Sequence, residues 1–262
     1  ASARETAIRV AIGSLARQFL EHFDIQIASH VVSIGNVFLP EKIQIDDIEK
    51  LRSITEESEV RCIDKATEEK FITAIKEAKS KHDSLGGVAE VIVTGLPVGL
   101  GGFSQPEKRL DSLLAAAIMA VPSVKGFEIG AGFKSASMLG SDVHDEILYT
   151  KDSNPKKKDF YRKTNNAGGV EGGMTNGENL VLRAAAKPIS TLNKPLKTVN
   201  VLTKEPAEAM VERTDNCVVP AMGVVCEASV ALVLANAFME KFGSDNLAEI
   251  ELNYQNYLKT SY

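Results

Sequence analysis

The chain has 262 residues, 44% hydrophobic and 25% charged, the balance of an ordinary globular protein with room for a substantial core. Its net charge of −5 argues against a nucleic-acid partner, so positive charge for any anionic ligand must be gathered locally. No run reaches the roughly 18 consecutive apolar residues of a membrane span, so no membrane partner is expected.

Ser2-Ala3-Arg4-Glu5 reads as a capping box, with Ser2 accepting from the Glu5 N–H and the Glu5 carboxylate reaching back. Ile8, Ile12, Leu15 and Phe19 then recur at helical spacing and predict an amphipathic helix over residues 3–22. Residues 25–37 alternate as a strand, and residues 40–64 read as short charged helical pieces with loops. A helix over Thr67–Lys79 is expected to turn Phe71, Ile72, Ile75 and Ala78 to one side, and Gly87–Leu96 reads as a strand. Glu107–Val121 predicts a helix that Pro122 stops, and Val124–Phe133 a strand punctuated by Gly126, Gly130 and Gly132.

Residues 151–166 gather Lys156, Lys157, Lys158, Arg162 and Lys163 among turn-forming residues. They predict an exposed loop, either a solvated charge run or a basic lid. Leu180–Ala186 is strand-like, and Pro220–Phe242 is the last long helix, apolar nearly all round in its middle and therefore expected to be buried. Strands and helices alternate without βαβ spacing, and the glycine-rich strands look antiparallel. The expected fold class is α+β, layered, as a single domain over residues 1–262. Cys62, Cys217 and Cys226 form no C-x-x-C and fit free thiols in a reducing compartment. His22, His30, His82 and His144 lack metal-ligand spacing and read as surface or helix-end residues, so no metal is expected.

The most informative stretch runs from Asn165 to Thr191. It packs Gly168, Gly169, Gly172, Gly173 and Gly177 ahead of the strand, then continues Lys187-Pro188-Ile189-Ser190-Thr191. Glycines let backbone N–H groups approach a ligand closely, and a lysine with two hydroxyls suits a phosphate. Neither G-x-x-x-x-G-K-[ST] nor a helix-opening G-x-G-x-x-G is present. With Arg213-Thr214-Asp215, either a surface pair or a carboxylate placed beside a cofactor, the residues alone point to a phosphate-handling α+β enzyme.

Six segments in order resemble the chorismate synthase family: S-A-R-E-T-A from Ser2, G-L-P-V-G-L-G from Gly95, V-K-G-F-E-I-G from Val124, N-x-A-G-G-x-x-G-G-M-T-N-G from Asn165, K-P-I-S-T from Lys187, and R-x-D from Arg213. The resemblance implies a layered β-α-β sandwich and a homotetramer. It also implies elimination of phosphate from 5-enolpyruvylshikimate 3-phosphate with reduced FMN (FMNH2), giving chorismate. On the same basis the FMN contacts are Ala1, Ser2, Pro122, Ser123, Gly172, Lys187, Pro188, Ile189, Ser190, Thr191 and Arg213. Pro122-Ser123 replaces the Asn-Ala of some relatives, so contact there is expected through backbone. Asp215 and Ser2 are the candidate catalytic residues, Asp215 as the carboxylate near the flavin N5, and Arg4 is the candidate substrate contact.

Family chains also carry, ahead of the serine-capped helix, G-E-S-H-G and R-P-G-H-A-D motifs whose histidines serve as acid–base groups; neither motif occurs here. The expectation is the C-terminal portion of such an enzyme, inactive by itself. The alternative is a non-catalytic flavin-binding or assembly fragment of the same fold. Cytoplasmic location is expected, or plastid if a transit peptide was lost, and the reductant, NADPH or another source, stays open.

Overall fold

The computed structural model describes residues 4–41, 47–150, 160–211 and 215–260. Its helices in chain order are α1 (Arg4–Glu21), α2 (Ile48–Glu57), α3 (Lys65–Ser80), α4 (Leu110–Met119), α5 (Gly140–Val143), α6 (Val219–Phe242) and α7 (Leu247–Thr260). The strands are β1 (Gln26–Ile34), β2 (Val37–Phe38), β3 (Gly87–Thr94), β4 (Val124–Ile129), β5 (Ile147–Tyr149), β6 (Phe160–Arg162), β7 (Val170–Glu171), β8 (Met174–Thr175), β9 (Leu180–Ala186), β10 (Lys197–Val199) and β11 (Pro206–Glu208).

Five strands form an antiparallel sheet in the order β2-β1-β3-β9-β4. Alternation along β9 buries Leu180, Leu182 and Ala184 and leaves Arg183 exposed, so one sheet face is apolar and must be covered. Helix α6 covers it. On length and composition α6 could cross a membrane, yet 72% of its most apolar stretch is buried inside this fold. The α+β expectation holds, and the predicted limits of β9 and α6 match the observed elements to within one residue.

Helix α1 lies against α6 at the closest approach its sequence allows, because a Cβ on Gly13 would come within 2.5 Å of the Ala228 Cβ. Gly13 meets Ala228, while the rings of Phe19 and Phe23 meet Phe238, so the two helices run in the same direction. This contact corrects the reading of α1. Ile8, Ile12 and Leu15 are 62%, 52% and 66% exposed, and the helix instead turns Gly13 and Leu20 inward, with Val10, Ala16 and Phe19 half-buried. Periodicity reports that a face is apolar; the small residue Gly13 decides which face packs.

Other expectations shift locally. The strand from Val124 ends at Ile129, because Gly130 turns at φ 57° and a 3₁₀ turn follows over Gly132–Ser137. The helix predicted from Glu107 begins at Leu110, after a 3₁₀ turn at Pro106–Lys108. The described part of residues 40–64 holds one regular helix, α2, capped by the Asp47 carboxylate, which accepts from the Glu49 and Lys50 N–H groups. Of the predicted basic loop, residues 151–159 lie outside the described residues. The remainder begins with β6, paired with β5, in which Arg162 is held by Glu171 at 2.7 Å, and continues through Lys163, held by Glu146 at 2.8 Å.

His30 is not a surface residue. It is buried on β1, 3.0 Å from Glu90, which also receives Arg183 at 2.7 Å across β3 and β9. Burial pushes the Glu90 carboxyl up, but His30 and Arg183 outweigh it and hold the group below its ordinary value. The thiols of Cys62, Cys217 and Cys226 are free and raised by burial, that of Cys226 to about 12.

Candidate functional site

The sheet has two ends, and the sequence motifs divide between them. Ile34, Gly87, Ala186 and Val124 line up at the first end. Gln26, Thr94 and Leu180 mark the opposite end.

At the first end, Val124 pairs with Ala186, so the chain enters β4 beside the place where it leaves β9. The Lys187 N–H therefore donates to the Ser123 carbonyl at 2.9 Å, and Ser123 itself takes a left-handed φ of 73°. The Ser84 hydroxyl donates to the Ile189 carbonyl at 2.8 Å. The Leu85 N–H donates to the Asn216 carbonyl at 2.8 Å, and the Asn216 amide returns a bond to the Asp83 carbonyl at 2.8 Å. Residues 83–86 thus form a rail with Lys187–Thr191 on one side and Asp215–Cys217 on the other. Gly86 is required in it, because a Cβ there would run into the Ala186 carbonyl and lie 2.9 Å from the Pro188 nitrogen.

Helix α6 starts four residues after Asp215, and its N-cap residue, Val218, has no side-chain group that caps it. Since α1 runs parallel to α6, its N-terminus, where Arg4 is exposed, points to the same end. Two helix N-termini, the exposed Lys187 ammonium, and the hydroxyls of Ser190 and Thr191 are a donor set that fits a phosphate. The structure therefore brings together Pro122, Ser123, Lys187, Pro188, Ile189, Ser190, Thr191 and Asp215, with Arg4 at the same end. Ala1, Ser2 and Arg213 lie outside the described residues, and so does the proposed Ser2 cap.

Gly172 is elsewhere. It forms, with Gly173, the tip of the β7–β8 hairpin at φ 61° and 86°. The Gly173 carbonyl accepts from the Leu110 N–H at 2.8 Å, at the start of α4. Pro122 and Ser123 follow the end of that ten-residue helix, which spans about 15 Å. The glycines around Gly172 serve backbone packing: a Cβ on Gly130 would run into the Asn166 carbonyl, and one on Gly168 into Gly130. Gly172 differs, with nothing among the described residues within 4 Å of the position a Cβ would take. Asp145 ties the run down, accepting from the Thr164 hydroxyl at 2.5 Å and from the Asn166 and Ala167 N–H groups at 2.8 Å. Burial works against that carboxylate, but these bonds prevail and hold it below its ordinary value.

A cavity of about 400 Å³ also opens at the opposite end, between His22, Asp24, Gly95, Glu251 and Tyr254, and none of the expected site residues lines it. Sequence reasoning missed the rail. Its only signal was the Gly86-Gly87 pair, which marks a close backbone approach.

A family model described as chorismate synthase matches residues 1–239. The chain belongs to the chorismate synthase family. It is 52% identical over 256 residues to the chorismate synthase of Alkaliphilus metalliredigens, and 48% identical over 260 residues to that of Bacillus subtilis. Those matches take in 98% and 99% of this chain but 65% of each relative, so the chain spans 65% of the length of these curated relatives. A solved structure titled as a crystal structure of chorismate synthase superimposes with a TM-score of 0.82 at 39% identity, covering 99% of this chain and 70% of that one. The layered α+β fold is thus the chorismate synthase fold.

Proposed function

We propose that this chain supplies the flavin-phosphate wall of an enzyme that eliminates phosphate from 5-enolpyruvylshikimate 3-phosphate to form chorismate with reduced FMN. The observation that carries the reading is the gathering of Lys187–Thr191, Pro122-Ser123, Asp215 and two helix N-termini at one end of the sheet. Lys187, Ser190 and Thr191 would hold the flavin phosphate by charge and hydrogen bonds, and the Ser123 backbone keeps Lys187 in place. Arg213 would add charge, while Arg4 would meet the substrate's anionic groups, since a ligand pair this negative needs a concentrated positive field. A reduced flavin, when bound, supplies transient electron density to the bond from which phosphate departs. Asp215 would carry a proton at the flavin N5, Ala1 and Ser2 would contact the flavin, and Gly172 would admit its approach through open space. A homotetramer belongs to the same reading, supported by Val201 and Leu202, which project between β10 and β11 at 76% and 90% exposure.

None of the four histidines occupies a family acid–base motif, and His30 is buried against Glu90. This polypeptide alone is therefore expected to bind reduced FMN weakly and not to turn over. Anaerobic assay of chorismate formation tests this. Steady turnover by the 262-residue chain would overturn the claim of inactivity, and failure to bind FMN at all would overturn the flavin wall.

A further inference from the structure

Helix α7 lies beyond the residues that the family model matches and was not anticipated from the sequence. It packs Ile250 and Tyr254 into the aromatic cluster of Phe23, Phe238 and Phe242. One turn further on, the Tyr257 hydroxyl leaves that cluster and donates to the Val98 carbonyl at 2.7 Å. Its ring is fixed by the Lys241 ammonium, 4.4 Å from the centroid. Gly99, at φ 79°, passes so close that a Cβ there would lie 3.2 Å from the Tyr257 oxygen.

The loop that Tyr257 holds is in turn locked to the Gly172 hairpin by one buried threonine. The Thr175 hydroxyl donates to the Pro97 carbonyl at 2.5 Å and accepts from the Leu100 N–H at 2.9 Å. Its carbonyl accepts from the Gly99 N–H at 2.7 Å, and its own N–H donates to the Leu100 carbonyl at 3.0 Å. Gly101 bridges Met174, and the Gly173 carbonyl accepts the Leu110 N–H. Contacts therefore run unbroken from α7 through residues 97–101 to the hairpin tip and the start of α4.

We propose that Tyr257 is a positioning residue: through the Val98 carbonyl and Thr175 it sets the placement of the Gly172 hairpin. The flavin consequence rests on the reading that Gly172 contacts FMN, whereas the positioning itself does not.

The test is Tyr257→Phe in the full chain, which keeps the ring and removes one hydroxyl, followed by residue-resolved amide hydrogen exchange. Losing one hydrogen bond should raise exchange at Gly99, Leu100, Thr175 and Leu110 together by roughly fivefold, with the β1 and β3 amides unchanged. Thr175→Val should raise the same Leu110 exchange, and the double variant should show less than the sum, because both act on one linkage. A rise confined to Val98 and Gly99, or one spread equally through the sheet, would overturn the proposal. FMN titration separates the two readings. Loosened exchange with weakened FMN binding supports both, and loosened exchange with unchanged FMN binding supports the positioning but removes Gly172 from the flavin site.

Discussion

The two ends of the sheet are both rich in residues that suggest a ligand, yet they are built for different purposes. At the opposite end Gly168, Gly169 and Gly173, with Gly130 beside them, each face a backbone atom that a Cβ would strike. At the first end the candidate groups are side chains and helix termini that face outward, braced from behind by the rail of residues 83–86. A glycine-rich run thus reports close approach without saying to what. Here Gly168, Gly169 and Gly173 approach the protein itself, whereas Gly172 opens onto space among the described residues.

That contrast can be broken most directly with two alanines. Gly130→Ala places a methyl in the Asn166 carbonyl at a φ of 57°, and about 3 kcal/mol or more should be lost through overpacking and backbone strain. Gly172→Ala has a similar φ, 61°, and an open surrounding, so only the left-handed cost of about 1 kcal/mol should appear. Urea unfolding of the two variants measures the difference. Equal losses would mean that the glycine run is one uniform turn rather than a packed base with an open tip.

A smaller effect, with a pH signature, belongs to Asp145. Its folded pKa lies below the unfolded value, so its contribution is fully present above the unfolded pKa of about 3.9 and is lost as pH falls through the folded one. Asn166 and Ala167 amide protection should therefore decline below about pH 4. Asp145→Asn should lose about 2 kcal/mol of local stability at neutral pH and abolish that acid step. A wild-type acid step that persists unchanged in the variant would assign the titration to another group.

Much of the fold was legible because its long elements carry strong patterns. The Leu180–Ala186 strand alternates, and Val219–Phe242 is apolar around its whole circumference, so burial was its only stable outcome. Helix α1 was legible as a helix but not in its orientation, since Ile8, Ile12 and Leu15 outscore Gly13 in apolarity while Gly13 controls the approach to α6. Helix α7 escaped notice because only Ile250, Tyr254 and Tyr257 form its inward stripe, while Leu252 and Leu258 face out and blur the period. At the candidate site, Lys187–Thr191 and Asp215 were legible as candidates from sequence. Their meeting through Ser84, Leu85 and Asn216 depends on residues far apart in the chain, which no local pattern announces.

The smallest effect on stability should come from the residue most exposed to function. Lys187 is exposed at the first end, and among the described residues its ammonium hydrogen-bonds only the Pro188 carbonyl, at 3.4 Å. The bond that anchors the segment is made by the Lys187 backbone N–H to Ser123, and any side chain preserves it. Lys187→Ala should therefore leave unfolding within about 0.5 kcal/mol of the parent. On the proposed reading the same change also removes a charge-assisted phosphate contact, so FMN affinity should fall roughly tenfold, from a charged hydrogen bond of about 1.5 kcal/mol or more. Riboflavin, which lacks the phosphate, should bind parent and variant alike. If riboflavin and FMN weakened together, Lys187 would be touching the ring system, and the phosphate would have to be assigned to other groups at this end.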